Sequence, residues 1–319
     1  MGRVVFVSCT PVGRAMISEV LNNPNLEGIE IVGIVNLDPL TAVNKCNYDP
    51  YIDLSIKTQI PMIYCASVNS LRSLDFIREK EPDIVIQAGW SERFKSSVLD
   101  IPKYGCIGQH PSPLPVGRGA ASINWAMIKG IPTWGNSLFE MKYEYDAGLI
   151  YAQENLYIDF YDTIKTVFDK IAYSSVIMLR KNLVDWCQGN FNGIKQDDSK
   201  ATYFTRRRPE DGLFSFDSLS ALDVYNKIRA LTRPYPGAFF EGMVDGLYKN
   251  VYVWDAEYGG SCLDKVSIGG GIYIRCSDGD FVLLKRVQVE DQPEQWAFDF
   301  IIKHDVRIRG DGRDYPIRT

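Results

Sequence analysis

Histidine is nearly absent: His110 and His304 are the only two in 319 residues, which leaves no set of imidazoles from which to build a metal centre. The seven cysteines, at 9, 46, 65, 106, 187, 262 and 276, contain no C-x-x-C pair. An odd, dispersed set of this kind reads as buried reduced thiols, so neither a disulfide framework nor a bound metal is expected. The first β-α turn, Cys9-Thr10-Pro11-Val12-Gly13, lacks G-x-G-x-x-G, which removes the usual support for a dinucleotide site. No apolar run approaches the ~20 residues that cross a bilayer. The sequence opens straight into the strand-like Arg3-Val4-Val5-Phe6-Val7-Ser8 with no leader peptide, so a cytoplasmic protein with no membrane partner is expected. An excess of positive charge is missing too. The net charge is -5, and residues 241–319 carry 10 Lys and Arg against 14 Asp and Glu, so no nucleic-acid partner is expected.

What is present is an ordinary folded composition, 45% apolar and 24% charged, in a chain longer than one core usually supports. Val4 to Ser8 suits a strand buried on both faces. Pro11 to Arg14 lead into a helix that runs to about Asn22, and a strand from Ile29 to Val35 follows. Asn36 to Gln59, with two Asp-Pro pairs, reads as an irregular surface excursion. Pro61 to Cys65, a helix over 70–80, the strand Asp83 to Gly89 and a short helix over 92–99 continue the alternation. Strands alternating with helices imply an α/β, Rossmann-like fold: an open, mostly parallel sheet with helices on both faces and ligands beyond the carboxyl ends of its strands. Strands at 135–141 and 149–158 precede a long helix over 163–188 with a broad apolar stripe. The capping box Ser220-x-x-Asp223 opens a further helix. Beyond the rigid linker at 232–239, short strands at 251–254, 265–268, 271–276 and 280–289 make a small β-rich piece.

The most irregular stretch is Gly108-Gln109-His110-Pro111-Ser112-Pro113-Leu114-Pro115-Val116-Gly117-Arg118-Gly119, whose three prolines forbid regular helix or central strand. His110 stands where a strand gives way to that loop. Its side chain titrates nearest neutrality, so it is the leading acid or base, set against the plain alternative of a hydrogen-bonded loop residue. Asp146, before Ala147-Gly148, either faces a cleft or bonds its own backbone in a turn. Trp90 and Phe94, past the strand at 83–89, line a ligand site or pack the core. Arg206-Arg207-Arg208 suits a phosphate, or is a solvated charge run.

These residues carry a resemblance. His110-Pro-Ser-Pro-Leu-Pro-x-Gly-Arg118-Gly119 resembles the signature of the folate-dependent formyltransferase family, Asn-x-His-x-Ser-Leu-Leu-Pro-x-x-Arg-Gly. Asp146-Ala147-Gly148, thirty-six residues after His110, is similar to the family's Leu-Asp-Thr-Gly element. Gly135 and Ser137 fit its Thr-Gly-x-Thr strand, and Asp83 to Leu99 fits the strand and helix that line the folate pocket. Arg206 to Gly212 and Ile228 to Phe239 look like the linker helix of sugar N-formyltransferases and methionyl-tRNA formyltransferase. The resemblance covers most of residues 1–240. It implies a catalytic domain over 1–190, a linker with a helix over 191–240 and a small β-rich domain over 241–319.

The activity so implied is transfer of a formyl group from N10-formyltetrahydrofolate to a primary amine, with His110 and Asp146 handling protons and charge. One position departs from the pattern: the family's Asn, an oxyanion donor two residues before the His, is Gly108 here. Gln109, from the adjacent position, the Gly108 N–H or an ordered water are the substitutes. The resemblance sets the folate against Gln87, Gly89, Trp90, Phe94 and Leu99, with Glu140, Tyr143 and Asp146 on the other side. The expected acceptor is a nucleotide-linked amino sugar, a 4-amino-4,6-dideoxyhexose, met by Ser112, Arg118, Arg206, Arg208 and Tyr235. Three alternatives stand beside it. A methionyl-tRNA formyltransferase-like enzyme would favour a basic C-terminal domain. A formyltetrahydrofolate hydrolase would send water to the formyl carbon. A catalytically impaired module would only bind folate or sugar nucleotide. Apolar strand edges in the C-terminal piece suggest a homodimer.

Overall fold

A computed structural model describes residues 1–261, 270–309 and 314–316; the strand expected at 265–268 lies outside the described residues. The chain divides into two compact units: Met1–Ser122 with Thr133–Tyr157 and Val167–Thr205, and Ile123–Pro132 with Ile158–Thr166 and Arg206–Thr319. The chain order begins β1 (Gly2–Ser8), α1 (Pro11–Asn22), β2 (Ile29–Leu37), α2 (Ile52–Thr58), β3 (Met62–Cys65), α3 (Leu71–Glu79), β4 (Ile84–Ala88), α4 (Ser96–Leu99), β5 (Cys106–His110) and β6 (Arg118–Gly119). It continues with α5 (Ser122–Ile128), β7 (Thr133–Glu140), β8 (Ile150–Tyr157), α6 (Ile164–Cys187) and β9 (Tyr203–Phe204).

The sheet of the first unit has the order β3-β2-β1-β4-β5-β7-β8. It is parallel from β3 to β5 and antiparallel from β5 to β8, so β5 is the strand where the pattern changes. Val4 to Val7 and Ile84 to Ile86 are fully buried, as continuous apolar runs in a sheet covered on both faces must be. Each such side chain contributes about 1.5–3 kcal/mol, which anchors the sheet beneath the ends of β4 and β5. The segment expected to be a surface excursion is instead tied to this layer. It contains α2, and Tyr51 is fully buried with its hydroxyl donating to Thr10 O and 2.8 Å from Ser8 Oγ. Cys9, Cys65, Cys106, Cys187 and Cys276 are buried free thiols, and burial pushes Cys9 up to about 11, leaving it neutral and unreactive at neutral pH.

On the face of β7 turned toward α6, Asn136 is fully buried. Its amide donates to Ile171 O (3.2 Å), Ser174 Oγ (2.8 Å) and Ser175 Oγ (2.8 Å) and accepts from Gln109 Nε2 (2.7 Å). Replacing Asn136 with leucine strands the Gln109 amide in the core. The expected loss is about 1–3 kcal/mol of unfolding free energy, read as a lower urea midpoint with an unchanged m-value.

In the second unit α7 (Ala221–Leu231) is followed by β10 (Ala238–Val244), β11 (Leu247–Gly260), β12 (Ile272–Arg275), β13 (Phe281–Val289), β14 (Gln295–Trp296), α8 (Ala297–Lys303), β15 (Val306–Arg309) and β16 (Asp314–Pro316). Ser220 caps α7, accepting from Asp223 N at 3.1 Å and donating to its carboxylate at 2.6 Å. The strands form one antiparallel sheet, β12-β13-β11-β10-β15-β16 with β14 beside β13. β10 alternates buried and half-buried residues, and Phe240 on its inner face meets Phe214 and Phe216. Among the described residues no helix is long and apolar enough to cross a membrane.

Candidate active site

His110 is the last residue of β5, 7% exposed. The proline loop that follows is pinned to β7 and β8: Ser137 Oγ donates to Ser112 O, Trp134 Nε1 to Pro111 O, and Gln153 Nε2 to Leu114 O. The loop returns so that Gly117 O lies 2.8 Å from His110 Nε2. A carbonyl can only accept, so Nε2 carries the proton and Nδ1 is the nitrogen left to gain or lose one. Nδ1 faces Asp146 Oδ2 at 3.7 Å. That same oxygen accepts from Gly119 N at 2.8 Å. Gly119 has a φ of 95°, and a Cβ there would strike Phe204 O, so only glycine brings its N–H to the carboxylate. The second histidine is elsewhere engaged: His304 Nδ1 lies 2.6 Å from Asp245 Oδ2 in the second unit.

Strand geometry decides the fate of the substitutes at Gly108. Side chains alternate along β5, so Gln109 points away from His110 and its amide is held by Asn136. It is not beside the reacting face, contrary to the expectation that it replaces the missing Asn. Gly108 shares His110's face, but its main chain is enclosed by Gln87 of β4 and Phe139 of β7. A Cβ at Gly108 would meet Phe139 Cε1 at 2.7 Å and Met141 Cγ at 3.0 Å. The Phe139 ring, edge-on to His110 at 6.5 Å between centroids, fills the space a longer side chain would need.

The expectations for Trp90, Phe94, Arg118 and Ser112 need correction. Phe94 and Trp90 are only 1% and 7% exposed and belong to the apolar core with Val7, Val85 and Cys106; core packing, their plain alternative, describes them, and neither offers a face to a ligand. Arg118 does not reach toward an acceptor. It is 2% exposed, and its guanidinium donates to Gln196 Oε1, Asp198 Oδ1 and the Tyr203 hydroxyl. Ser112 is fully buried with a hydroxyl that has no partner, closed to an acceptor as well. Gln87 spends its amide on Trp90 O at 2.8 Å, at the end of β4, with Gly89 next to it at a φ of 74°. Leu99 is half-buried against the same core. Glu140 pairs with Lys142 at 2.9 Å, and Tyr143 is exposed beneath the Arg93 guanidinium at 4.0 Å. Arg206 and Arg208 are exposed and Tyr235 half-buried in the second unit.

The residues missed in the sequence are Phe139, Asn136 and Gln196. The β5–β7 register pairs Gly108 with Phe139, a signal that the antiparallel alignment of the two strands carries; nothing in the sequence around Gln196 marks it. Among the described residues no group of three or more His, Cys, Asp or Glu is placed to hold a metal ion.

The formyl transferase family model matches residues 42–183, and the model of the formyl transferase C-terminal domain matches residues 207–304. The bifunctional polymyxin resistance protein ArnA of Wigglesworthia glossinidia brevipalpis is 34% identical over 230 residues, 72% of this chain; the chain spans only 34% of that protein. The methionyl-tRNA formyltransferase of Thermotoga maritima is 32% identical over 240 residues, 74% of this chain and 75% of its own length. Among solved structures, an N-formyltransferase from Helicobacter canadensis, in complex with folinic acid and dTDP-3-aminofucose, superimposes with a TM-score of 0.67 at 13% identity, over 91% of this chain and 100% of that one. This last likeness is one of fold.

Proposed function

Because the chain belongs to the folate-dependent formyltransferase family, we propose that it transfers a formyl group from N10-formyltetrahydrofolate to the primary amine of a small acceptor. The observation that carries this reading is the 3.7 Å approach of His110 Nδ1 to Asp146 Oδ2 at the carboxyl end of β5. The folate supplies the formyl carbon and a nitrogen that departs with a proton. His110 Nδ1 takes the proton shed by the attacking amine, on the side where Asp146 offsets the charge so gained. The Gln109 amide is engaged with Asn136 and Phe139 fills the space beside Gly108, so the protonated imidazole is also the nearest partner for negative charge on the formyl oxygen.

The residues fit a folate at the 140s loop. Arg93 has a buried Nε without a hydrogen-bond partner, and its guanidinium lies over the exposed rings of Tyr143 and Tyr145. An aromatic ledge beside a guanidinium with one unpaired N–H suits a flat heterocycle with an anionic tail. Gln87, Gly89, Leu99 and the main chain at Glu140 are assigned to its edge.

For the acceptor, a nucleotide-linked amino sugar, a 4-amino-4,6-dideoxyhexose, is preferred. Support comes from the Ile228 to Phe239 linker and the acidic balance of residues 241–319, 10 Lys and Arg against 14 Asp and Glu. The sequence likeness to methionyl-tRNA formyltransferases favours the competing reading. Mass spectrometry separates them: the protein and its folate donor are offered a panel of nucleotide amino sugars and, separately, methionyl-tRNA. Gain of one carbonyl on an amino sugar is expected. Product on methionyl-tRNA alone would replace the acceptor, formate release without any amine would make the protein a hydrolase, and no reaction at all would end the transfer reading.

A further inference from the structure

The acid–base pair is assembled by a strap of chain that contributes nothing to the pair itself. Residues 194–204 cross both loops that carry it. On the proline loop, Thr202 O accepts from Arg118 N at 2.9 Å, Thr202 Oγ1 accepts from Gly117 N at 2.8 Å, and β9 pairs with β6. On the other loop, Gln196 Nε2 donates to Asp146 O at 2.7 Å and to Gly148 O at 2.8 Å. The other end of the Gln196 amide is fixed as well: Oε1 accepts from Arg118 Nε at 3.1 Å and Nη2 at 2.8 Å. Because Arg118 can only donate, the amide cannot flip, and its NH2 group must face the two carbonyls. Asp146 has a φ of 53°, in the left-handed region that Asp enters more readily than most non-glycine residues, and the Gln196 amide fastens the carbonyls of that turn. Gln196 is 6% exposed, so water does not compete for these bonds.

From this geometry we infer that Gln196, held by Arg118, is a positioning residue that sets the Asp146 carboxylate against His110. The inference rests on the proposed roles of that pair. Gln196→Glu tests it with little change of volume: the carboxylate still accepts from Arg118, but it opposes the Asp146 and Gly148 carbonyls and releases the turn. Turnover is expected to fall about 10- to 100-fold, the cost of misplacing a reacting group by about 1 Å, a larger change than in KM for the folate donor. If Gln196 acts only through Asp146, adding Gln196→Glu to Asp146→Asn costs nothing more. Multiplying losses, or a single variant with full turnover, would overturn the inference. Gln196→Met, which removes the same bonds without adding charge, carries the cycle if the first variant does not fold. Nitrogen NMR of the labelled histidines gives a readout free of turnover: the His110 ring signals should move toward those of Asp146→Asn while those of His304 stay. Should that shift occur in a protein that forms no formyl product, the bracket stands and the formyl-transfer reading fails; an unmoved His110 would sink the bracket alone.

Discussion

His110→Ala is expected to lower formyl transfer by about 1,000-fold or more, while binding of a reduced folate stays within a few-fold. A proton-transferring side chain alone is ordinarily worth ~10²–10⁴ in rate. Here the same imidazole has a second task, since Gln109 is locked to Asn136 and Phe139 occupies the flank of Gly108, leaving no side-chain amide for the formyl oxygen. A donor of that kind contributes ~10²–10³, so losing the ring removes both contributions together. Folding should survive, because the ring makes one hydrogen bond, to Gly117 O, worth about 1 kcal/mol. Product counted by mass spectrometry and folate affinity by titration calorimetry provide the check. A variant that keeps a tenth of its activity removes His110 from the chemistry.

The parts of the fold that rest on continuous apolar runs were legible in the sequence, and the parts that rest on pairing were not. Val4 to Val7 and Ile84 to Ile86 read as buried strands and are fully buried, because nothing but a doubly covered strand accommodates such runs. The segment with α2 read as irregular because what fastens it is long-range: Tyr51 bonds to residues 8 and 10, and Asp49 and Asp53 pair with Arg14. β10 was concealed by Pro234, Pro236 and Gly237 just ahead of it, and only its alternation marks it out. At the site, His110 and Asp146 stood out by type and context. The directions of their neighbours did not: Gln109 points away because side chains alternate along a strand, and a buried guanidinium such as that of Arg118 looks in one dimension like one that meets an acceptor. Trp90 and Phe94 show the same ambiguity, since an aromatic residue after a strand packs inward or lines a pocket according to layers that the sequence does not display.

Gly108→Asn, which restores the family's residue, is expected to destabilise the protein by about 1–3 kcal/mol without raising turnover, because its side chain must push Phe139 and Met141 out of a packed space. Phe139→Ala alone is expected to cost about 3–5 kcal/mol through the cavity it leaves. The two changes are complementary in volume, so the double variant G108N/F139A should be more stable than the sum of its parts predicts. Urea midpoints of the four proteins measure that coupling. With the ring gone, an amide carried on β5 two residues before His110 and on the same face can reach a formyl oxygen held near Nδ1, and turnover should rise about 10-fold or more above the unmodified protein. A double variant that regains stability but is no faster would mean that the apolar wall has its own purpose. Phe139 lies edge-on to His110 and 5% exposed, so that purpose would be to keep water from the imidazole, where a polar group in its place admits it.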